Sequence, residues 1–476
     1  MDYPELSLFI GGEWRKTSET MPVINPADET VVGALPVART ADMDDALDAA
    51  AIGLRVWSRT APRERSAIIT RAARLMQDRI DQIAWSNTLE VGKPLGQSRY
   101  EVSRGGDIME WDAGEGQRLY GRVIPGSTGL RNTMLRQPIG TVAGFSTWNF
   151  PVATAVRKIS AALSAGCSLL LKAPEETPAG AFHIAKALQD AGLPDGVLNL
   201  IYGHPAEISG HLIPQEQIRL VAFTGSTEVG RHLTKLAAEH MKPVVMELGG
   251  HAPVIVCDDV DPAKVALLGA TRKYRNSGQV CTSPTRFYVA EGNFSTFADE
   301  FVARARATTV GNGFAEGIEM GPLANDRRLD AMTALVEDAV SQGAELCTGG
   351  RRIGNKGYFF EPTVLANVPD GAKIMTEEPF GPIAVLNPIS SLEDGIAKAN
   401  HSPFGLAAYG FTNSAASVDQ MMRELEVGQL SINTFDTSIP ETPFGGVKSS
   451  GYGREGGEEG LHNYSIIKNV SYQPVI

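Results

Sequence analysis

The sequence predicts an α/β protein organised around a doubly wound, mostly parallel sheet. Three observations carry this. Short apolar runs alternate with segments of helical periodicity along the chain. No internal repeat, low-complexity stretch or long linker interrupts them. The 476 residues, at roughly 100–200 per domain, make two or three domains with room for large cores.

In chain order, Ala41–Trp57 and Pro62–Trp85 read as amphipathic helices. The second places Ile68, Ile69, Ala72, Leu75, Met76, Ile80 and Ile83 at helical spacing. Thr141–Phe145 is a short apolar strand, Val152–Ala165 a helix and Ser168–Lys172 a buried strand. Thr177–Ala191 is helical, stopped by Gly192 with Pro194 just beyond. Strands follow at Leu198–Tyr202 and Leu220–Phe223, then a glycine turn, a helix from Thr227 to His240 and a strand at Val244–Glu247. A second α/β unit begins near Gly250. It has a strand at Pro253–Cys257, a helix over Pro262–Asn276, a strand at Arg286–Val289, and helices near Phe294–Val310 and Arg327–Gln342. Gly121–Arg136 and Tyr464–Tyr472 are strand-like and flank these units. They form either a separate hairpin plus edge strand, suited to subunit pairing, or an extension of one of the sheets.

Composition narrows the function. Hydrophobic residues are 43% and charged residues 21%, ordinary for a globular chain. The formal charge of −12 disfavours nucleic acid and anionic membranes as partners, and no basic patch stands out. No run of 18 apolar residues suggests a membrane span. The start MDYPELSLFIGGEW has acids where a signal peptide is basic. The four cysteines, Cys167, Cys257, Cys281 and Cys347, form no CxxC pair, and the eight histidines show no metal spacing. A reducing cytoplasm, free thiols and no metal are expected.

Six short motifs carry chemistry. Phe223-Thr224-Gly225-Ser226-Thr227-Glu228-Val229-Gly230 runs from strand through glycine turn to helix. Its helix start suits a phosphate, yet it is neither GxGxxG nor a P-loop, and a plain strand–turn–helix fits equally. In Asn276-Ser277-Gly278-Gln279-Val280-Cys281, the cysteine is either a nucleophile or a buried thiol. Packing is the simpler reading for the other three cysteines. Met246-Glu247-Leu248-Gly249-Gly250 closes an apolar strand with a carboxylate. Such a group is either paired or raised in pKa and usable as a base. Asn149, in Trp148-Asn149-Phe150-Pro151, either caps the next helix or offers its amide to an oxyanion. Lys172 and Glu175, in Leu171-Lys172-Ala173-Pro174-Glu175, bind ribose hydroxyls or form a surface pair. The sixth is Glu377-Glu378-Pro379-Phe380-Gly381-Pro382.

The joint order of WNFP, KxPE, FTGSxxxG, ELGG, GQxC, EPFGP and PFGGxKxSGxGxE (Pro443–Glu455) resembles the NAD(P)-dependent aldehyde dehydrogenase superfamily over nearly the whole chain. The resemblance implies a Rossmann-like dinucleotide-binding domain (1-118 and 137-248), an α/β catalytic domain (249-447) and a β oligomerisation element (119-136 and 461-476). It implies a homodimer or homotetramer. Cys281 would be the nucleophile, Glu247 the general base and Asn149 the oxyanion donor, beside the Cys281 backbone N–H. Lys172 and Glu175 would take ribose hydroxyls, and Gly225 and Ser226 the pyrophosphate. Glu378 would hold the nicotinamide ribose, with Trp148, Leu248 and Phe380 lining the cofactor cleft. The reaction implied turns an aldehyde into an acid through a cysteine thiohemiacetal and thioester. Glu247 favours hydrolysis over transfer to coenzyme A. Glu175 favours NAD, with NADP possible, because a carboxylate repels a 2′-phosphate.

The stretches Lys172–Pro178, Tyr202–Ser209, Glu247–Val256 and Gly278–Arg286 are similar to the succinic and α-ketoglutaric semialdehyde branch. There Arg157 and Arg275 would clamp a distal carboxylate, a task suited to the guanidinium fork. Ser438, in the loop Asn433–Thr442, would add a donor. That loop lacks the aromatic character of close relatives, and Thr282 and Ser283 exclude a paired-cysteine switch. The rivals are a general aliphatic or aromatic aldehyde dehydrogenase, with both arginines structural, and a non-catalytic binding protein that kept the fold.

Overall fold

The computed structural model describes residues 1–436 and 438–474. Thr437 of the loop 433–442, and Val475 and Ile476 at the end of the segment 461-476, lie outside the described residues.

Five parallel strands form the centre of the first sheet. Their order is Leu198–Ile201, Ser168–Lys172, Thr141–Phe145, Ile218–Thr224 and Val244–Glu247. The chain winds outward from Thr141–Phe145 to one side, then returns and winds outward on the other. The direction reverses between Thr141–Phe145 and Ile218–Thr224. Loops leaving the carboxyl ends of such neighbours diverge and open a crevice, where α/β sheets bind ligands. Every residue of Ser168–Lys172 is buried, because the sheet is covered on both faces. The edges are antiparallel: Leu8–Ile10 and Glu13–Arg15 on one side, Gly451–Tyr452 on the other. Gly451 pairs with Glu247, so a distant part of the chain closes over the end of that strand.

The second sheet runs Glu345–Thr348, Thr363–Ala366, Ile383–Ile389, Pro284–Ala290, Ala252–Val256, Ala407–Phe411 and Gln429–Ile432. Only its Glu345–Thr348 edge is antiparallel. Each sheet has its own core, the first around Leu169–Leu171 and Val221, the second around Ile255, Val385 and Phe287.

Gly121–Arg136 and Tyr464–Tyr472 do not extend either sheet. Arg122–Pro125, Arg131–Pro138 and Ser465–Tyr472 form a separate three-stranded antiparallel sheet, paired from Ser465 with Pro138 to Tyr472 with Arg131. Val123, Ile467 and Tyr472 on it are exposed.

Two expected helices differ. Pro62–Trp85 is two helices, Pro62–Asp78 and Ile80–Val91. Arg79 leaves helical geometry (φ −103°, ψ 15°) where its guanidinium meets Asp190 at 2.8 Å. The apolar spacing runs through this break, so periodicity does not register it. Pro262–Asn276 ends at Tyr274, and Asn276 and Ser277 take left-handed geometry (φ 48° and 56°). The sequence reading also passed over Leu95–Glu115, a 21-residue helix with four glycines and no clear apolar stripe. Among the described residues no helix is long and apolar enough to cross a membrane.

The helix Thr40–Trp57 crosses the start of the Leu198–Ile201 strand at Gly53. A Cβ there would lie 2.3 Å from the Gly196 carbonyl carbon and 2.4 Å from the Val197 nitrogen. These are backbone atoms that cannot swing aside. Gly53→Ala gains up to about 1 kcal/mol in helix propensity but incurs overpacking of about 1–3 kcal/mol. The expected outcome is a lower urea midpoint than wild type; a raised midpoint would contradict the close approach.

Candidate active site

The crevice at the reversal point is lined from several directions. One stretch, of about 620 Å³, has Trp148, Lys172, Glu175, Gly225 and Ser226 on its walls. It continues into a cavity of about 480 Å³ bounded by Trp148, Asn149, Gly225, Ser226, Leu248, Cys281, Glu378 and Phe380. Beyond Cys281 lies a third cavity of about 170 Å³ that includes Glu247, Leu248, Arg157, Arg275 and Ser438. Every residue singled out from sequence therefore lines one continuous path. Cys281 stands on the wall between its two halves.

Backbone geometry makes the first half a phosphate cradle. Ser226 is the N-cap of the helix Thr227–Glu239, its hydroxyl accepting from Val229 N at 3.4 Å. Gly225 N donates to the Glu247 carbonyl at 3.0 Å, tying the turn to the next strand. The open first turn presents N–H groups and the positive helix end. Lys172 Nζ and Glu175 Oε2 pair at 2.6 Å. Trp148 meets Phe380 edge-on, with centroids 5.4 Å apart. Phe380 has φ 42° and is held by Arg328, which donates to the Pro379 and Phe380 carbonyls. Glu378 Oε1 accepts from Gly250 N at 2.9 Å, and burial pushes its carboxyl up to about 7. A lysine, carboxylates, a helix start and two facing rings fit a dinucleotide.

Cys281 follows the left-handed Asn276–Ser277 turn and precedes the Pro284–Ala290 strand. Its thiol is pushed up to about 12 by burial, then by Glu378 and Glu247. A Cβ on Gly250 would lie 2.2 Å from the Cys281 carbonyl oxygen, so the double glycine of ELGG is what lets the two loops meet. Asn149 Nδ2 donates to the Gln279 carbonyl at 3.0 Å. An amide nitrogen has two N–H groups, so one remains for an oxyanion. Glu247 is 3% exposed and neither of its oxygens has a hydrogen-bond partner among the described residues. Burial and then Glu455 hold its carboxyl well above the ordinary range, against Lys158, Arg157 and Arg454. Gly445 packs against Glu247 Oε1, which explains the glycines of Pro443–Glu455.

Sequence reading missed the supports. Glu101 Oε1 accepts from Val152 N (2.9 Å) and Ala153 N (3.0 Å), capping the helix Pro151–Ala165 from a distant helix. Lys93 pairs with Glu101 and donates to the Asn149 carbonyl at 3.1 Å. Asn276 Nδ2 reaches the same carbonyl at 3.1 Å. Lys158 bonds Glu455 (2.9 Å) and Thr224 Oγ1 (2.5 Å) behind Glu247. The sequence offered no signal for them beyond single charged residues, Lys158 in the largely apolar helix Pro151–Ala165 among them, and spacing does not match such partners across the chain.

In the third cavity, Arg157 Nη2 donates to Ser438 Oγ at 2.8 Å, while Nη1 is buried with no partner among the described residues. Arg275 stacks on Phe150 (5.5 Å) and Tyr100 (6.0 Å) and has no ion pair among the described residues.

Residues 14–470 match the aldehyde dehydrogenase family. The chain belongs to that family. It is an oxidoreductase that oxidises aldehydes with NAD or NADP. The enzyme is 43% identical to a putative 4-(hydroxymethyl)benzenesulfonate dehydrogenase of Comamonas testosteroni, over 98% of each chain. It is 40% identical to a glutarate-semialdehyde dehydrogenase of Pseudomonas putida, over 97% of this chain and 96% of the relative. The NAD+ complex of an aldehyde dehydrogenase from Bacillus cereus superposes with TM-score 0.97 at 33% identity, covering 99% and 97% of the two chains.

A thiol near 12 carries almost no thiolate at neutral pH, and the thiolate is the reactive form. Alkylation of Cys281 by iodoacetamide in the ligand-free enzyme should therefore keep accelerating with pH through pH 10. A plateau below pH 8, followed by mass spectrometry of the Cys281 peptide, would contradict the protonated resting thiol.

Proposed function

We propose that the enzyme oxidises a semialdehyde whose far end is a carboxylate, such as succinic or α-ketoglutaric semialdehyde. One observation carries this: Arg157 and Arg275 line the cavity on the far side of Cys281 with donors that no acid of the described residues engages. A buried unpaired guanidinium is costly unless a ligand completes it.

In this reading Cys281 Sγ attacks the aldehyde carbon to form a thiohemiacetal. The oxygen that gains charge is met by the free Asn149 N–H and the Cys281 backbone N–H. Removing one such donor typically lowers the rate about 100–1,000-fold. When bound, NAD or NADP supplies the two-electron oxidant that converts the adduct to a thioester. Lys172, Glu175, Gly225, Ser226, Leu248, Glu378, Phe380 and Trp148 would hold it, and Glu175 supports NAD as the preferred form. Glu247, sheltered at the end of its strand, takes a proton from water that hydrolyses the thioester. Its raised pKa supports a base role, since a stronger base removes a proton more readily. Lys158 and Glu455 pair with each other nearby, and their charges act on its carboxyl in opposite directions.

The division into 1-118 with 137-248, 249-447, and 119-136 with 461-476 belongs to the same proposal. The exposed apolar residues of the third sheet support pairing of subunits there, as a homodimer or homotetramer. Four free cysteines support a reducing cytoplasm as the compartment.

Succinic semialdehyde should show kcat/KM at least about tenfold above propanal. Arg157→Ala should raise KM for the semialdehyde about tenfold or more, the scale of a lost charged hydrogen bond, with little effect on propanal. Equal rates for the two aldehydes in wild type would overturn the distal-carboxylate reading. Glu247→Gln should release one equivalent of NADH in a burst and then stall, steady turnover falling about 100-fold or more. Unimpaired steady turnover would remove Glu247 from the hydrolytic step.

A further inference from the structure

The cavity beyond Cys281 presents more cationic donors than a planar carboxylate takes up. Four arginines line it: Arg104, Arg157, Arg272 and Arg275. A carboxylate offers two oxygens and is matched by one guanidinium fork. Acids in the same wall do not offset this excess. Glu101 is held by Lys93 and Glu455 by Lys158, and burial keeps Glu247 toward its neutral form. Asp107 lies 3.7 Å from Arg104 but is solvent-exposed, where a pair is weak. Asp436, like Glu247, has no ion pair among the described residues, but it is exposed to solvent, and one screened charge does not balance four arginines.

Arg104 was not among the residues expected from sequence. It lies on the helix Leu95–Glu115, one turn past Glu101, and so inherits the placement of that buried, fully engaged acid. Its Nη2 donates to the Ser438 carbonyl, while Arg157 donates to the Ser438 hydroxyl. Two guanidiniums thus converge on one loop residue, and the second has a buried Nη1 with no partner among the described residues. Arg275 stands on the same cavity, fixed by the faces of Phe150 and Tyr100. The remaining walls include Ile108, Val280 and Phe444, which hydrogen-bond nothing in a ligand's stem.

We propose that this cavity is a subsite for a tetrahedral headgroup with three acceptor oxygens, a sulfonate or a phosphonate, and that Arg104 is the residue that sets this choice over a carboxylate. The proposal rests on the reading that the distal anion faces these arginines and changes only the headgroup, so that a semialdehyde ending in a carboxylate is a substrate but one ending in the tetrahedral anion binds more tightly. Three oxygens splayed about one atom meet donors from Arg104, Arg157 and Arg275 separately. Two coplanar oxygens match one guanidinium fork and meet the other two arginines only out of that plane. A sulfonate and a carboxylate carry the same charge, so a preference between them reports oxygen number and shape. A phosphonate adds a second charge and reports the excess of arginine.

The test uses short alkyl anions as competitive inhibitors of butanal oxidation at saturating NAD: propanoate, ethanesulfonate and ethylphosphonate. Butanal is uncharged, so the assay does not presuppose an anionic substrate. Ethanesulfonate or ethylphosphonate should have an inhibition constant at least about fivefold below that of propanoate, and the tighter of the two names the headgroup. Arg104→Met should bring that ratio within about twofold of one, and Arg104→Lys, which keeps charge but loses the fork, should narrow it. Propanoate binding as tightly as both in wild type would overturn the headgroup assignment, whether or not a variant folds. An unchanged ratio in Arg104→Met would overturn the role of Arg104. If none of the three anions competes, the distal-anion reading fails as well; if only propanoate competes, that reading stands and this one falls.

Discussion

The carbonyl oxygen of Asn149 is the point on which the site depends. Lys93 donates to it from the loop between the helices Ile80–Val91 and Leu95–Glu115, and Asn276 from the turn that precedes Cys281, each at 3.1 Å. Through this one acceptor, the loop leaving the first sheet and the thiol loop leading into the second are held together. Lys93 is itself locked by Glu101, which also caps the helix that follows Asn149. A buried ion pair of this kind adds little net stability over apolar packing, but it fixes position. Loss of either partner would strand a charge in the interior and free Asn149 relative to Cys281.

The same burial decides the chemistry. Glu378 and Glu247 flank the thiol from the two halves of the path, and all three groups are pushed toward their protonated forms. The cations needed to offset this are arranged behind and beyond: Lys158 under Glu247, and arginines around the substrate end. One field thus spans both ends of the path, since Arg157 lines the far cavity and also acts to lower the pKa of both Glu247 and Cys281.

The parallel strands were legible because strands covered on both faces must be apolar throughout, and Thr141–Phe145, Ser168–Lys172 and Val244–Glu247 match their expected limits. Breaks inside helices were not. Arg79 bends the chain between Met76 and Ile80 without disturbing apolar spacing, and Asn276 turns left-handed inside what reads as a helix end. The separate sheet of Arg122–Pro125, Arg131–Pro138 and Ser465–Tyr472 had a visible strand pattern, but pairing across so long a separation leaves no local mark.

By itself, the amino-acid sequence determined which groups are present along the path and in what order: Asn149, Lys172, Gly225, Glu247, Cys281 and Glu378 each sit in a short run whose strand, turn and glycine pattern is local chemistry. It did not determine their supports or the charge of the far cavity. Lys93, Glu101, Lys158 and Glu455 are ordinary charged residues until folding buries them, and Arg104 until folding brings it to Ser438. Burial and partnership are properties of three-dimensional packing. Only the tertiary structure decides whether a given lysine or arginine is a solvated surface charge, one half of an ion pair, or a donor left waiting for a ligand.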